Sequence, residues 1–228
     1  MKKTTFVALL LLTTHCFAND IKTSLASIES QWAIIYYKTP KVQQEKAYQQ
    51  LLDQANSLAL QFPKAAEPLF WQAVIKATYA DQQDGLSALK AINEARDLLT
   101  QAITIDSKAM EGSAYVTLGT LYYMVPGWPI AFGDNNKARK MFQAALKINP
   151  NGIDANYFYG EFLASVNELK EAQKYFEIAS KAPTRNEQNY ADNKLKEEAT
   201  MALKNINTRK ISHVKKMFLS LLNSDKIN

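Results

Sequence analysis

Three pairs of residues recur at one interval: Ala138 and Ala172, Phe142 and Phe176, and Ala145 and Ala179 each lie 34 positions apart. A fixed period in this range means that the chain repeats one supersecondary unit. So small a unit cannot bury its apolar face alone, so copies must stack on their neighbours. Each Ala-x3-Phe-x2-Ala half is preceded by a second half-pattern. These are Tyr115-x2-Leu118-Gly119-x2-Tyr122 and Asn156-x2-Tyr159-Gly160-x2-Leu163. Between Pro40, Pro63, Pro68, Pro126, Pro129, Pro150 and Pro183, apolar residues fall at i, i+3, i+4 and i+7, the helical period. No segment alternates as a strand would, so the predicted class is all-α.

The two half-patterns resemble the tetratricopeptide repeat, with Tyr115 in place of its usual Trp. This resemblance implies antiparallel helical hairpins stacked into a short right-handed superhelix with a C-terminal capping helix. The closest repeats span about 112–150 and 153–183. Gly119, Gly160, Ala138 and Ala172 are small where helices are expected to cross closely, and Leu118, Tyr122, Phe142 and Phe176 fill the space between them. A looser unit pairs Trp71-x2-Val74-Ile75 with Ala95-x3-Leu99-x2-Ala102. Residues 21–38 and 42–62 predict one more hairpin. After Pro183, a helix or broken pair over 187–222 carries two apolar stripes, from Leu195 to Ile206 and from Ile211 to Leu221. Its basic residues, Lys204, Arg209, Lys210, Lys215 and Lys216, read as a solvated face, with lipid contact as the weaker reading.

The N-terminus predicts export. Lys2 and Lys3 precede an apolar run from Phe6 to Leu12, and Cys16-Phe17-Ala18 places small residues where a signal peptidase needs them. Residues 1–18 are read as a signal peptide cleaved after Ala18, and 19–228 as a single helical-repeat domain. Lipidation at Cys16 is the weaker reading, because His15 is a poor neighbour for it. Cleavage at that point leaves no cysteine and one histidine, His213, too few for a multi-histidine zinc site. No serine lies in a Gly-x-Ser-x-Gly elbow. Loss of Lys2 and Lys3 takes the formal charge from +5 to +3, too mild to imply nucleic acid. The expectation is a non-enzymatic binding protein without cofactor or metal.

Two insertions break the period. One, near Asp81 to Ser87, is polar. The other, from Met124 to Asp134, is strongly apolar for a loop. Trp128, Ile130 and Phe132 either fold back over neighbouring hairpins or form a lip for a ligand or another chain, and Gly133-Asp134 turns the chain and caps the next helix. The inner face of the first helices of each unit is the other candidate surface. Template positions place Gln72, Lys76, Tyr79, Val116, Thr120, Tyr123, Tyr157 and Glu161 there, so the predicted binding residues are these eight together with Trp128 and Phe132.

The segment Gly112-Ser113-Ala114-Tyr115, Leu118-Gly119, Pro126, Gly133-Asp134, Lys137-Ala138 and Phe142-x2-Ala145-Leu146, with Asn193-x5-Ala199-x3-Leu203 later, resembles the T-component family of tripartite ATP-independent periplasmic transporters. That resemblance implies a periplasmic binding role, a solute-binding subunit as protein partner, apolar channels that accept hydrophobic ligands, and homo-oligomers. Two functions stay open: a scaffold or adaptor for a protein partner, and a carrier of a hydrophobic small ligand associated with such a transporter.

Overall fold

The computed structural model describes residues 5–185 and 188–206, with side chains from residue 21 onward. The side chains of the expected signal peptide, Cys16 and Ala18 among them, and the second C-terminal stripe with His213 lie outside these limits. Every regular element among the described residues is helical. In order these are α1 (Thr5–Lys38), α2 (Lys41–Gln61), α3 (Glu67–Ala80), α4 (Gly85–Ile105), α5 (Ser113–Met124), α6 (Asn135–Ile148), α7 (Ile153–Ser165), α8 (Leu169–Lys181) and α9 (Asn189–Asn205). Successive pairs α3–α4, α5–α6 and α7–α8 pack as hairpins, with α1–α2 at one end and α9 against α7 and α8 at the other. The predicted all-α stack of helical hairpins is the observed fold. No helix among the described residues is long and apolar enough to cross a membrane.

Local chemistry sets the helix boundaries. Pro68 occupies the first turn of α3, where its missing N–H has no partner to lose. The Asp84 carboxylate accepts from the N–H groups of Leu86 and Ser87 at the start of α4. Asp134 accepts from Asn136 N at 2.8 Å and Lys137 N at 3.0 Å at the start of α6. These bonds satisfy donors that the helix itself leaves orphaned.

The repeat signature has a direct packing cause. A Cβ on Gly119 would meet ring carbons of Phe142 at 3.2 Å, and one on Gly160 would meet the Phe176 ring at 2.8 Å. Each phenylalanine is fully buried and lies flat across the glycine of its hairpin partner. The core divides into two clusters that meet at α5. One runs from Ile28 to Val125 through α1–α5, and the other joins Val116, Phe142, Phe162 and Phe176 to Ala199 and Ala202 of α9.

The apolar insertion splits between two fates. Its backbone folds back, with Gly133 N donating to Pro126 O at 2.9 Å and Asp134 N to Tyr122 O at 2.7 Å. A side chain on Gly133 would collide with the carbonyl oxygens of Val125 and Pro126, so only glycine fits this turn. The Phe132 ring packs edge-on against Tyr122 at 5.6 Å, beneath the Arg96 guanidinium. Trp128 instead points outward and is 90% exposed. The two residues expected to act together as one lip are therefore separated, one packed and one in solvent.

Candidate functional site

The first helices of the three hairpins present matching tiers to one concave cavity of about 860 Å³. Trp71, Val74 and Thr78 on α3 recur in position as Ser113, Val116 and Thr120 on α5, and as Asp154, Tyr157 and Glu161 on α7. The Ser113 hydroxyl donates to Asp154 at 2.8 Å and fixes the alignment of α5 with α7. Just before α5, Met110, Glu111 and Gly112 all adopt left-handed backbone, with φ of 50°, 54° and 84°. For Met110 and Glu111 this is a strained conformation of a kind concentrated at binding sites. It turns the chain so that Met110 also lines the cavity.

α1 and α9, the first and last of the described helices, close the concave face. α1 contributes Glu29, Trp32, Tyr36 and Tyr37 to the lining, and α9 contributes Asp192, Leu195, Glu198 and Met201. An aromatic chain ties these walls together. Trp32 lies 6.1 Å from Trp71 and stacks on Tyr36 at 5.2 Å, Tyr36 meets Tyr37 at 4.7 Å, and Tyr37 reaches Tyr190 of α9 at 5.8 Å. Lys38 caps the Tyr190 ring at 4.2 Å. The Trp32 indole N–H donates to the Thr78 hydroxyl at 3.2 Å, which satisfies a polar handle in a mostly apolar wall.

Charge within the lining is uneven. Among the described residues, Arg185 is its one cation, and Asp192 claims it from two sides: Nη2 donates to Oδ1 at 2.6 Å and Nε to Oδ2 at 3.1 Å. Burial alone would lower the Arg185 pKa, but the Asp192 hydrogen bonds and the charges of Asp154, Asp192 and Glu29 raise it. Burial, followed by the nearby Glu161 and Glu198 carboxylates, pushes the Tyr157 hydroxyl well above the ordinary tyrosine value. Burial and then Glu198 do the same to Tyr37.

Half of the residues singled out from sequence meet at this cavity: Val116, Thr120, Tyr123, Tyr157 and Glu161 line it. Gln72, Lys76 and Tyr79 do not. Gln72 donates to Ala55 O at 3.3 Å, Lys76 pairs with Glu94 at 2.7 Å, and Tyr79 packs on Tyr48 at 5.6 Å. The cause is register. The spacing aligned Trp71 with Tyr115, whereas the folded chain aligns it with Ser113, two positions earlier. That shift rotates Trp71, Val74 and Thr78 into the cavity and carries Gln72, Lys76 and Tyr79 out of it. Sequence reasoning also missed Trp32, Tyr36, Tyr37 and Glu198. The available signals were the aromatic cluster on α1 and the continued spacing of Leu195, Glu198 and Met201 on α9.

Stacked helical hairpins around a concave aromatic cavity define a helical-repeat architecture. The tetratricopeptide-repeat family profile matches residues 130–192, from the loop before α6 into α9, so the chain contains repeats of that type. Domains of this type generally mediate contacts between proteins. They are typically not catalytic. No curated protein sequence gives a significant match to the chain.

Proposed function

We propose that this chain is an exported, non-enzymatic binding protein that holds an apolar small ligand in its concave cavity. The observation that carries the reading is the cavity itself, about 860 Å³ and bounded by α1, α3, α5, α7 and α9. Sites for small ligands typically measure roughly 300–1,000 Å³ and combine apolar walls with a few placed polar groups. A groove that receives an extended protein segment needs an open face, and here α1 and α9 meet across it through Tyr37 and Tyr190. Periplasmic location rests on the N-terminal export signal, and association with a transporter's solute-binding subunit rests on the resemblance to the T-component family.

Native mass spectrometry of the protein isolated from the periplasm tests this reading. The expected spectrum contains a stoichiometric small-molecule adduct that is released on denaturation. Only bare protein, with no organic-extractable compound, overturns it. Recovery of the protein from the cytoplasm alone removes the export component.

A scaffold for a protein partner is the second reading, favoured by the solvent-facing Trp128. Exposed aromatics of this kind often anchor protein interfaces. The two readings use different surfaces, so substitutions at Trp128 and in the cavity separate them.

A further inference from the structure

The threonines of the cavity floor share one hydrogen-bonding arrangement. Thr78 on α3 and Thr117 and Thr120 on α5 all line the cavity. Each hydroxyl meets the carbonyl four residues earlier in its own helix: Thr78 to Val74 O at 2.7 Å, Thr117 to Ser113 O at 3.1 Å and Thr120 to Val116 O at 2.9 Å. A hydroxyl has one proton and a carbonyl has none. Each threonine therefore gives its proton to its helix and keeps only lone pairs for a further partner. Thr78 already shows this behaviour, since its oxygen accepts the Trp32 indole N–H at 3.2 Å.

The charged groups of the described lining are held by the chain itself. Arg185 donates to the Asp192 carboxylate from its backbone N at 2.7 Å, from Nε at 3.1 Å and from Nη2 at 2.6 Å. Asp154 accepts from Ser113, and Glu29, Glu161 and Glu198 each have partners within the chain. A charged ligand head would have to displace one of these partners or lose its hydration without a counter-charge. Separating Arg185 from Asp192, which is fully buried, would leave an unpaired carboxylate in the interior, a strongly unfavourable change.

We propose that the cavity selects an uncharged ligand whose polar end is a hydrogen-bond donor, a hydroxyl or N–H set against Thr117 and Thr120, with its apolar body against Trp32 and Phe70. This proposal rests on the small-ligand reading above. A head that can only accept meets lone pairs with its own lone pairs and forgoes one hydrogen bond, about two- to tenfold in affinity. A charged head gives up its hydration without a counter-charge, which should weaken binding roughly tenfold or more.

The test uses the full chain as the cell processes it and a series of probes with similar alkyl tails. These are octanol, its isomer heptyl methyl ether, octanoate and octyltrimethylammonium, each below its solubility or micelle limit. Trp32 and Trp71 line the cavity and report binding by fluorescence, and calorimetry gives the affinities. Octanol should bind tightest, the ether about two- to tenfold more weakly, and both ions roughly tenfold or more below octanol. If the ether binds at least as tightly as octanol, the donor head is wrong; if either ion does, the uncharged class is wrong. Either result overturns the proposal while the small-ligand reading stands. If no probe in the series binds, both fall. In the double variant Thr117→Val with Thr120→Val, folding checked by circular dichroism, the octanol-to-ether affinity ratio should fall towards unity. An undiminished ratio in the folded variant overturns the assigned head site, and the wild-type series remains decisive if that variant does not fold.

Discussion

The hairpins α5–α6 and α7–α8 are two copies of one design that agree on the inside of the hairpin and differ on its faces. Both pin a buried phenylalanine across a glycine, Phe142 over Gly119 and Phe176 over Gly160. Their cavity faces diverge, with Ser113, Val116 and Thr120 on one and Asp154, Tyr157 and Glu161 on the other. Their connectors diverge as well. Residues 125–134 form a folded apolar loop, whereas Val166, Asn167 and Glu168 turn α7 into α8 through a left-handed Asn167 with φ of 66°. The contacts between the helices of a hairpin set the scaffold and tolerate little change. The outward and concave positions differ between the two copies, and this chain places its charge and its exposed aromatic there.

Truncating the shared ring should have the largest effect. Phe142→Ala and Phe176→Ala each remove a fully buried side chain and should destabilise by about 3–5 kcal/mol, read from chemical denaturation. If one costs several kcal/mol and the other less than about 1, the two hairpins are not energetic equivalents and the comparison breaks.

The glycines sharpen the same comparison. A Cβ at position 160 comes within 2.8 Å of a ring with no room to retreat, while at 119 the closest approach is 3.2 Å. Overpacking costs about 1–3 kcal/mol, whereas alanine in a helix recovers up to about 1 kcal/mol relative to glycine. Gly160→Ala should therefore be clearly destabilising by thermal denaturation, and Gly119→Ala close to neutral. Equal melting temperatures would mean that the tighter contact at Gly160 carries no strain.

A smaller difference follows from the connectors. Asp134 caps α6 with two hydrogen bonds, so Asp134→Ala should cost about 0.5–2 kcal/mol. The equivalent residue before α8, Glu168, makes no side-chain cap. It pairs with Arg139 at 2.6 Å across the hairpins, and both side chains are partly exposed. Glu168→Ala should therefore cost less than about 1 kcal/mol, and raised salt should shrink its effect but not that of Asp134→Ala. A Glu168→Ala loss equal to that at Asp134 would assign the second connector a hidden cap.

Much of this scaffold was legible in the residues, because the Ala-x3-Phe-x2-Ala spacing is itself the imprint of helix crossing, and the crossing partners are Gly119 and Gly160. The site was half legible. The α5 and α7 tiers follow from the same spacing, so Val116, Thr120, Tyr157 and Glu161 emerged with the repeats. The α3 tier did not, since Trp71 invited alignment with the large residue Tyr115 when its place is that of Ser113. The walls from α1 and α9 were not legible either. Trp32, Tyr36, Tyr37 and Glu198 belong to the terminal helices, outside the period, and only closure of the stack brings Tyr37 to Tyr190. A sequence period reports contacts between neighbouring units; it carries no record of where the two ends of a curved stack meet.

The smallest expected effect on stability lies at the residue that stands out most in the sequence. Trp128 is 90% exposed at the tip of the loop that only the first of the two hairpins possesses. Removing so exposed a side chain gives up little buried area, so Trp128→Ala should change stability by less than about 0.5 kcal/mol. Phe132, in the same loop, packs on Tyr122 and under Arg96, and Phe132→Ala should lower the melting temperature measurably. The loop thus contrasts with itself: one aromatic holds it down and the other is presented to solvent. If Trp128→Ala leaves the small-molecule adduct seen by native mass spectrometry intact but abolishes capture of a specific protein, the loop and the cavity are separate binding surfaces. If it weakens the cavity ligand as well, the loop reaches the cavity mouth in solution and the separation between the two surfaces is wrong.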